Sequence, residues 1–349
     1  MKNKKFLLLV GLLFALGMFL TACGGGEKEE GTGSDGGNDT GSETENDTGA
    51  EDNDADAGDK PEFLSLLTGG TSGTYYPLGG EMASIITDET GIQTDAVSSN
   101  ASADNIAALQ AGEAELAFAQ TDVTANAVEG INSFDGNPVD NIQAIASLYP
   151  ETIQIVTVKD SGITSVADLA GKTVSVGAPG SGTYVNATQI LEAYGLSMDD
   201  IDAQNLDFGE STGGIQDGNI DAAFITAGTP TGAVEGLAAT TDVSIVPIEQ
   251  DKIDSLIEQY PYYAADTVKA GTYDIEEDVN TVAVLAMLVV TDSLSEDVVY
   301  DITKAIFDNT DKITHAKGEY ITKESALDGI GIDLHPGAKK YFEEEGLLD

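Results

Sequence analysis

Two hydrophobic periods alternate along the chain after its first sixty residues. Short apolar runs at 63–67 and 173–176 are typical of buried strands. Each run is followed by a turn rich in glycine, serine and threonine, and then by helical apolar spacing at 78–87 and 187–194. Strands that alternate with helices predict open, mostly parallel sheets that bind ligands at the carboxyl ends of their strands.

The chain contains an internal duplication. The sequence Ser-Gly-Thr-Tyr at 72–75 reappears at 181–184. Residues 109–118 are echoed in order by 215–224, and in both copies a helical pattern ends at a glycine before a short apolar strand. Because the two matches are collinear, the sequence predicts two lobes of one design.

The predicted fold class is α/β, with two lobes that each hold an open, mostly parallel sheet flanked by helices. The last hundred residues lie outside the duplication and contain a further apolar run, 279–290. We therefore expect lobe I to comprise residues 61–148 plus 247–349, and lobe II to comprise 149–246. Two crossovers, near Tyr149 and Val246, form the hinge.

The N-terminus predicts a secreted lipoprotein. Three lysines stand among the first five residues, an apolar run covers 6–20, and Leu-Thr-Ala precedes Cys23, a lipobox-like arrangement. We expect residues 1–22 to be a signal peptide and Cys23 to be acylated, which places the protein on the outer face of the cytoplasmic membrane and in contact with the lipid bilayer.

A tether follows the anchor. Residues 23–60 contain almost no apolar side chain beyond the anchoring cysteine, and they cannot bury enough surface to offset the entropy of ordering. We expect a disordered acidic tether that holds the folded part away from the membrane.

The folded part is strongly acidic and contains no arginine. The whole chain has a formal charge of -46, and residues 61–349 carry 48 acidic residues against ten lysines. Such a charge excludes nucleic acid as a partner. A bound anion must be held without an arginine fork.

The two Ser-Gly-Thr-Tyr turns are the strongest site signal. Glycine lets the backbone approach a ligand, and free N–H groups at a helix start attract an anion such as a carboxylate. The hydroxyls of these turns bind the ligand or only cap the helices. Gln120, Asp122 and Thr226 follow the second repeated strands, and Asp122 is either a partner for a ligand ammonium or a helix cap. The candidate ligand-binding residues are Ser72, Gly73, Thr74, Tyr75, Gln120, Asp122, Ser181, Gly182, Thr183 and Thr226.

One motif suggests an enzyme. Residues 209–213 match the Gly-x-Ser-x-Gly pattern of serine esterases, with Ser211 as the nucleophile. His315 and His335 are the only histidines, and the chain has no oxyanion loop of the His-Gly-Gly type. We expect Ser211 to cap a helix or to touch ligand, and we predict a binding protein rather than an enzyme. No metal site and no cofactor is predicted.

The motifs resemble those of the TAXI-type solute-binding proteins of TRAP transporters. The resemblance is carried by the stretches at 68–77, 177–183, 221–228 and 334–338, and it covers the folded part from about residue 63 to 347. It implies a monomeric periplasmic-binding-protein-like (Venus flytrap) receptor that closes on a small carboxylate or amino acid, such as glutamate or 2-oxoglutarate. The receptor would then deliver the solute to a sodium-coupled TRAP permease.

Two alternatives remain open. A substrate-binding lipoprotein of an ABC importer shares the fold and the anchor, and a neighbouring gene for a fused permease or for an ATPase distinguishes the two transporters. A secreted serine esterase that uses Ser211 is the alternative from another class, and a serine-reactive phosphonate tests for it.

The lipobox gives the first prediction. Replacing the acylated thiol by Cys23→Ser removes the only cysteine and with it the predicted anchor. We expect precursor or shed protein in the soluble fraction of fractionated cells. Retention in the membrane fraction equal to that of the unsubstituted protein would contradict lipid anchoring.

Overall fold

The computed structural model describes residues 60–348, which belong to one compact unit. The predicted signal peptide, Cys23 and all of the tether except Lys60 lie outside the described residues. Across 60–348, no helix has both the length and the apolar character needed to cross a bilayer.

The predicted strands and helices are present, with ends shifted by a few residues. The strands of the described part are β1 (Phe63–Leu67), β2 (Gln93–Val97), β3 (Leu116–Gln120), β4 (Ile142–Val158), β5 (Thr173–Ser175), β6 (Asp202–Gln204), β7 (Ala222–Ala227), β8 (Val243–Ile245), β9 (Ala264–Val268) and β10 (Val279–Thr291). The α-helices are α1 (Tyr75–Thr90), α2 (Ser102–Ala111), α3 (Thr121–Glu129), α4 (Gly182–Ala193), α5 (Phe208–Gln216), α6 (Gly232–Ala238), α7 (Gln250–Gln259), α8 (Glu296–Phe307) and α9 (Pro336–Glu344).

The sheet order reproduces the duplication. The strands follow the order β2-β1-β3-β10-β4-β7-β5-β6, with β8 beside β4 and β9 beside β10. β1 pairs in parallel with β2 and β3, and β5 pairs in parallel with β6 and β7. The duplicated helices end alike, since Gly112 and Gly218 both follow them in the left-handed conformation, at φ 72° and 74°. Each lobe therefore contributes three parallel strands, which flank the antiparallel pair of β4 and β10.

β4 and β10 are long because both run through the two lobes. The first half of β4 pairs with the end of β10 in lobe I, and its second half pairs with β7 and β8 in lobe II. Pro150, at the predicted first crossover, pairs with Leu285 beside a shift in register. Proline cannot donate to a ladder, so an irregular point of the pairing suits it.

The second crossover lies further along the chain than the predicted one near Val246. Ile253 and Leu256 of α7 pack in the apolar core of lobe II, together with Val282 and Val284 of β10. The next inward residues of β10, beginning with Ala286, belong to the core of lobe I. Residues 247–284 thus pack with lobe II. They have no counterpart in the duplication, so the repeat did not show to which lobe they belong.

Four apolar clusters stabilise the two lobes. In lobe I, α1, α8 and α9 cover one face of the sheet, while α2 and α3 cover the other. In lobe II, α4 and α7 cover one face, while α5 and α6 cover the other. Burial on both faces explains why the central strands are almost continuously apolar.

α9 packs so closely on α8 that its first turn requires glycine. A Cβ at Gly337 would lie 2.2 Å from the carbonyl oxygen of Glu296 and 2.5 Å from the backbone nitrogen of Tyr300. These neighbours are backbone atoms of α8, which cannot move without shifting the helix.

This contact predicts the effect of Gly337→Ala on stability. Overpacking of this kind costs about 1–3 kcal/mol of the free energy of unfolding, measured by urea denaturation. Gly80→Ala in α1 is the matched control, because a Cβ there meets no atom within 4 Å. The control should stabilise the protein by about 0.5–1 kcal/mol through helix propensity. Equal effects of the two substitutions would mean that the α8–α9 contact is looser than described.

Candidate functional site

A cavity lies between the two lobes at the carboxyl ends of their strands. It encloses about 540 Å³ of space, open solvent at its mouth included. From lobe I it is lined by Gly69, after β1, and by Gln120, at the end of β3. From lobe II it is lined by Ala178, after β5, and by Thr226 in β7. The duplicated strand ends thus face one another across a single space.

The turn of lobe I brings three of its four predicted residues to the cavity. Gly73, Thr74 and Tyr75 line it, and α1 begins at Tyr75. The Thr74 hydroxyl donates to the carbonyl oxygen of Gly228 in lobe II at 3.2 Å. The Tyr75 ring packs against Phe118 with its centroid 5.0 Å away. This turn therefore both lines the cavity and contacts the opposite lobe.

The turn of lobe II presents the start of α4. Ser181, Gly182 and Thr183 line the cavity, and the Ser181 hydroxyl accepts a hydrogen bond from the backbone N–H of Tyr184 at 3.3 Å. The Tyr184 side chain is 38% exposed and does not line the cavity, unlike its counterpart Tyr75 in lobe I. Ser181 acts as the helix cap, and Thr183 lines the cavity from the same turn.

Gln120 and Thr226 lie at the cavity with polar atoms that have no partner. Both side chains are buried, and Gln120 Oε1 and Thr226 Oγ1 have no hydrogen-bond partner within residues 60–348. A Cβ at Gly182 would lie 1.8 Å from Gln120 Oε1. Glycine in the lobe II turn is thus what allows Gln120 of lobe I to lie so close to it.

Two predicted residues contact the other lobe rather than the cavity. Asp122 is fully buried and accepts a hydrogen bond from the Asn186 side chain of α4 at 3.0 Å. Burial raises the pKa of Asp122 to about 7. The carbonyl oxygen of Ser72 accepts from the backbone N–H of Ala233 at 3.0 Å. Neither Asp122 nor Ser72 lines the cavity, so both serve contacts that hold the lobes together.

A backbone contact between the lobes uses the start of α2. The carbonyl oxygen of Gly180 accepts from the backbone N–H groups of Ala103 and Asp104, at 2.9 and 3.2 Å. The first turn of α2 therefore binds a lobe II carbonyl and is not free for a ligand. The structure shows the lobes closed on each other.

Glu151 is the residue of the cavity that the sequence did not reveal. It lies in the middle of β4, is 2% exposed, and accepts a hydrogen bond from the Tyr75 hydroxyl at 2.9 Å. Burial raises its pKa to about 8, and the neighbouring side chains of Tyr75, Gln120 and Tyr149 offset only part of that effect. A strand acid beside a proline carries no local sign of burial, and only the two-lobed packing encloses it.

Asp207 and Phe208 line the cavity from the start of α5. Asp207 caps that helix by accepting from the backbone N–H of Glu210 at 2.8 Å, and Phe208 lies against Gly73 of the opposite lobe. The duplication could have indicated these two residues, because they correspond to positions within 99–102 of lobe I. Ser102 from that stretch lines the same cavity.

Ser211 has no access to the cavity. It is fully buried inside α5, its hydroxyl lies 2.7 Å from that of Ser175, and it donates to the carbonyl oxygen of Asp207 at 2.6 Å. These partners are those of a structural serine. The described residues also contain no group of three or more histidine, cysteine or acidic side chains arranged to hold a metal ion.

The fold and the cavity between its lobes define the class of periplasmic-binding-protein-like proteins, as the sequence predicted. The profile of the NMT1-like family matches residues 66–346, and the chain belongs to this family.

Solved structures share the fold at low identity. One is a protein from Bordetella bronchiseptica RB50, with 17% identity and a TM-score of 0.52 over 81% of this chain and 82% of that one. Another is described as a periplasmic transporter, with 13% identity and a TM-score of 0.50 over 81% and 94% of the two chains. A putative L-cystine ABC transporter from Listeria monocytogenes shows 12% identity and a TM-score of 0.46 over 76% and 98%. At such identities the likeness concerns the fold alone.

The pKa of Glu151 predicts how stability depends on pH. Between pH 4.5, the ordinary value, and about 8, the folded chain keeps a proton that the unfolded chain has lost. The free energy of unfolding therefore falls as the pH rises through this window. Glu151→Gln removes the ionisation, so its melting temperature should exceed that of the wild type by more at pH 8 than at pH 5. Each pKa unit corresponds to about 1.4 kcal/mol, so the gap should widen by at least about 3 °C.

Thermal unfolding at the two pH values measures this difference. Glu62→Gln, at an exposed position, is the control and should follow the wild type at both. Parallel behaviour of Glu151→Gln and the wild type would show that Glu151 ionises normally in the folded protein.

Proposed function

We propose that this protein is an extracytoplasmic receptor that captures a small solute with a carboxylate group and delivers it to a membrane transporter. The observation that carries the proposal is the single cavity lined by both duplicated turns. A ligand that contacts both lobes stabilises their closed arrangement, which is how a receptor of this shape signals occupancy. Membership of the NMT1-like family and the shared fold support the same class of function.

A carboxylate suits the cavity because two helix starts supply the positive potential there. α1 and α4 begin at the cavity wall, and both are long enough for an appreciable dipole. The cavity lining contains no lysine, and the chain has no arginine. Backbone N–H groups in the first turns of α1 and α4 and the hydroxyl of Thr183 would then hold the anion.

Binding without catalysis is the function that the site supports. Ser211, the candidate nucleophile, is enclosed within lobe II and hydrogen-bonds Ser175 and the backbone. Neither His315 nor His335 lines the cavity. A triad at this position would need a histidine within hydrogen-bond reach of the serine.

The transporter that this receptor serves is either an ABC importer or a TRAP permease. The comparisons favour an ABC importer, because the matching profile is that of the NMT1-like family and one similar structure is described as an ABC transporter. The motifs at 68–77 and 177–183 support a TRAP permease of the TAXI type. In either case an acylated Cys23 would keep the receptor at the outer face of the cytoplasmic membrane, near its transporter.

The cavity hydroxyls predict the effect of substitutions on affinity. Thr183→Val deletes a hydroxyl beside the start of α4 at similar volume, and the loss of a hydrogen bond to a charged group should weaken binding about tenfold or more. Thr226→Val deletes an unpaired hydroxyl, and a loss of roughly fivefold is expected. The measurement is calorimetric titration with the best ligand from a thermal-shift screen of small carboxylates.

Ser211→Ala is the matched control, since it also removes a buried hydroxyl of lobe II but one that faces away from the cavity. Its affinity should equal that of the wild type. If no carboxylate in the screen binds, or if both Thr→Val variants bind like the wild type, the proposed site is wrong.

A further inference from the structure

Two buried hydrogen-bond acceptors, the side chains of Glu151 and Gln120, line the cavity, and no lysine lines it. Glu151 lines the cavity and is paired there with a phenol, Tyr75, rather than with a lysine. The ion pairs of residues 60–348 all involve other acids. A buried carboxyl group that lacks a cationic partner is costly, and native proteins retain such a group chiefly where it serves a function.

A second acceptor lies at the same cavity. Gln120 Oε1 is buried without a hydrogen-bond partner, and its side chain lines the cavity as that of Glu151 does. A buried amide oxygen in this condition calls for a donor from the ligand. An ammonium group offers three N–H donors and a positive charge, which matches a carboxylate and an amide oxygen together.

The cavity is therefore polarised. Its helix starts, at Tyr75 and Gly182, present backbone donors, whereas Glu151 presents a carboxyl group and Gln120 an amide oxygen that lies against Gly182. We infer that Glu151 and Gln120 form a subsite for a protonated amine, so that the receptor selects a zwitterionic amino acid over the acid that lacks the amine. This inference rests on the proposed function, because it assumes that the carboxylate of the same ligand binds at the helix starts.

Ligand binding then moves a proton. Burial in the closed arrangement holds the pKa of Glu151 at about 8, so the closed form without ligand keeps this group largely protonated at pH 7. To accept an ammonium, Glu151 must lose that proton to solvent. The titratable groups that act on it are Tyr75 of α1, Tyr149 of β4 and Asp122 of α3, and the Asp122 charge further disfavours a second negative charge nearby. Affinity for the amine ligand should fall as the pH drops below 8, by about tenfold for each unit well below that value.

The test compares ligands that differ only in the amine. L-Alanine is paired with L-lactate, L-leucine with L-2-hydroxyisocaproate, and L-glutamate with L-2-hydroxyglutarate, each titrated calorimetrically into the full mature protein. In whichever pair binds, the amino acid should bind at least about tenfold more tightly than the hydroxy acid. Glu151→Gln should remove most of this preference, while it changes the affinity for the hydroxy acid less than about threefold.

Two further variants separate this role from a structural one. Thr183→Val should weaken both members of a pair by a similar factor, because it acts on the shared carboxylate. Tyr75→Phe keeps the Glu151 carboxyl group but removes a hydrogen bond that favours its ionised form, so a reduced preference for the amine should persist. Titrations in buffers of different ionisation enthalpy should show a proton released with the amino acid from the wild type and none from Glu151→Gln.

The outcomes separate the two proposals. Equal binding of an amino acid and its hydroxy acid by the wild type, or an equal loss for both in Glu151→Gln, would overturn the amine subsite and leave the carboxylate receptor standing. Binding of no member of any pair would overturn both.

Discussion

The antiparallel pairing of β4 with β10 is the contact on which the rest of the structure depends. Both strands run through both lobes, so they join the parallel strands of the two lobes into one ten-stranded sheet. On either side of this pair stand three parallel strands, and their carboxyl ends face the space between the lobes. The cavity is a consequence of this topology, because the strand ends are where an open sheet leaves backbone groups and loop side chains unpaired.

The duplicated and the unduplicated parts of the chain contribute different chemistry to the cavity. The duplication supplies two helix starts with glycine at each, and hence two sets of backbone donors. Glu151 comes from β4, which has no counterpart in the repeat. The carboxyl group of the cavity therefore comes from outside the repeat, whereas Gln120, at the end of the duplicated strand β3, adds only an amide acceptor.

Much of the fold was predictable because its signals are local. The strands and helices of both lobes could be located from the apolar runs, from the glycines at 112 and 218, and from the repeat. The sheet likewise contains one set of three parallel strands from each lobe. The assignment of 247–284 was not predictable, since the apolar face of an amphipathic helix such as α7 packs equally well on either lobe as far as its sequence shows.

The candidate site was predictable only in part, for a related reason. The sequence locates a residue along an element, whereas the direction of its side chain depends on the other lobe. Gly73, Thr74, Gln120 and Thr183 line the cavity as expected from the strand ends and turns. Asp122 lies two residues beyond Gln120 and instead meets Asn186 of α4. Glu151 was missed because an acid within a buried strand has no periodic or motif signal of its own.

The unpaired polar atoms couple binding to closure. In the closed arrangement, Gln120 Oε1 and Thr226 Oγ1 are buried without partners, and the Glu151 carboxyl group is desolvated. Each unsatisfied group costs about 1–3 kcal/mol when water is excluded, and opening the lobes would return these groups to solvent. A ligand that satisfies them removes this cost only when the lobes are closed, so its differential contacts shift the equilibrium toward closure. The same acceptors that set the chemistry of the ligand thus also make the closed arrangement depend on it.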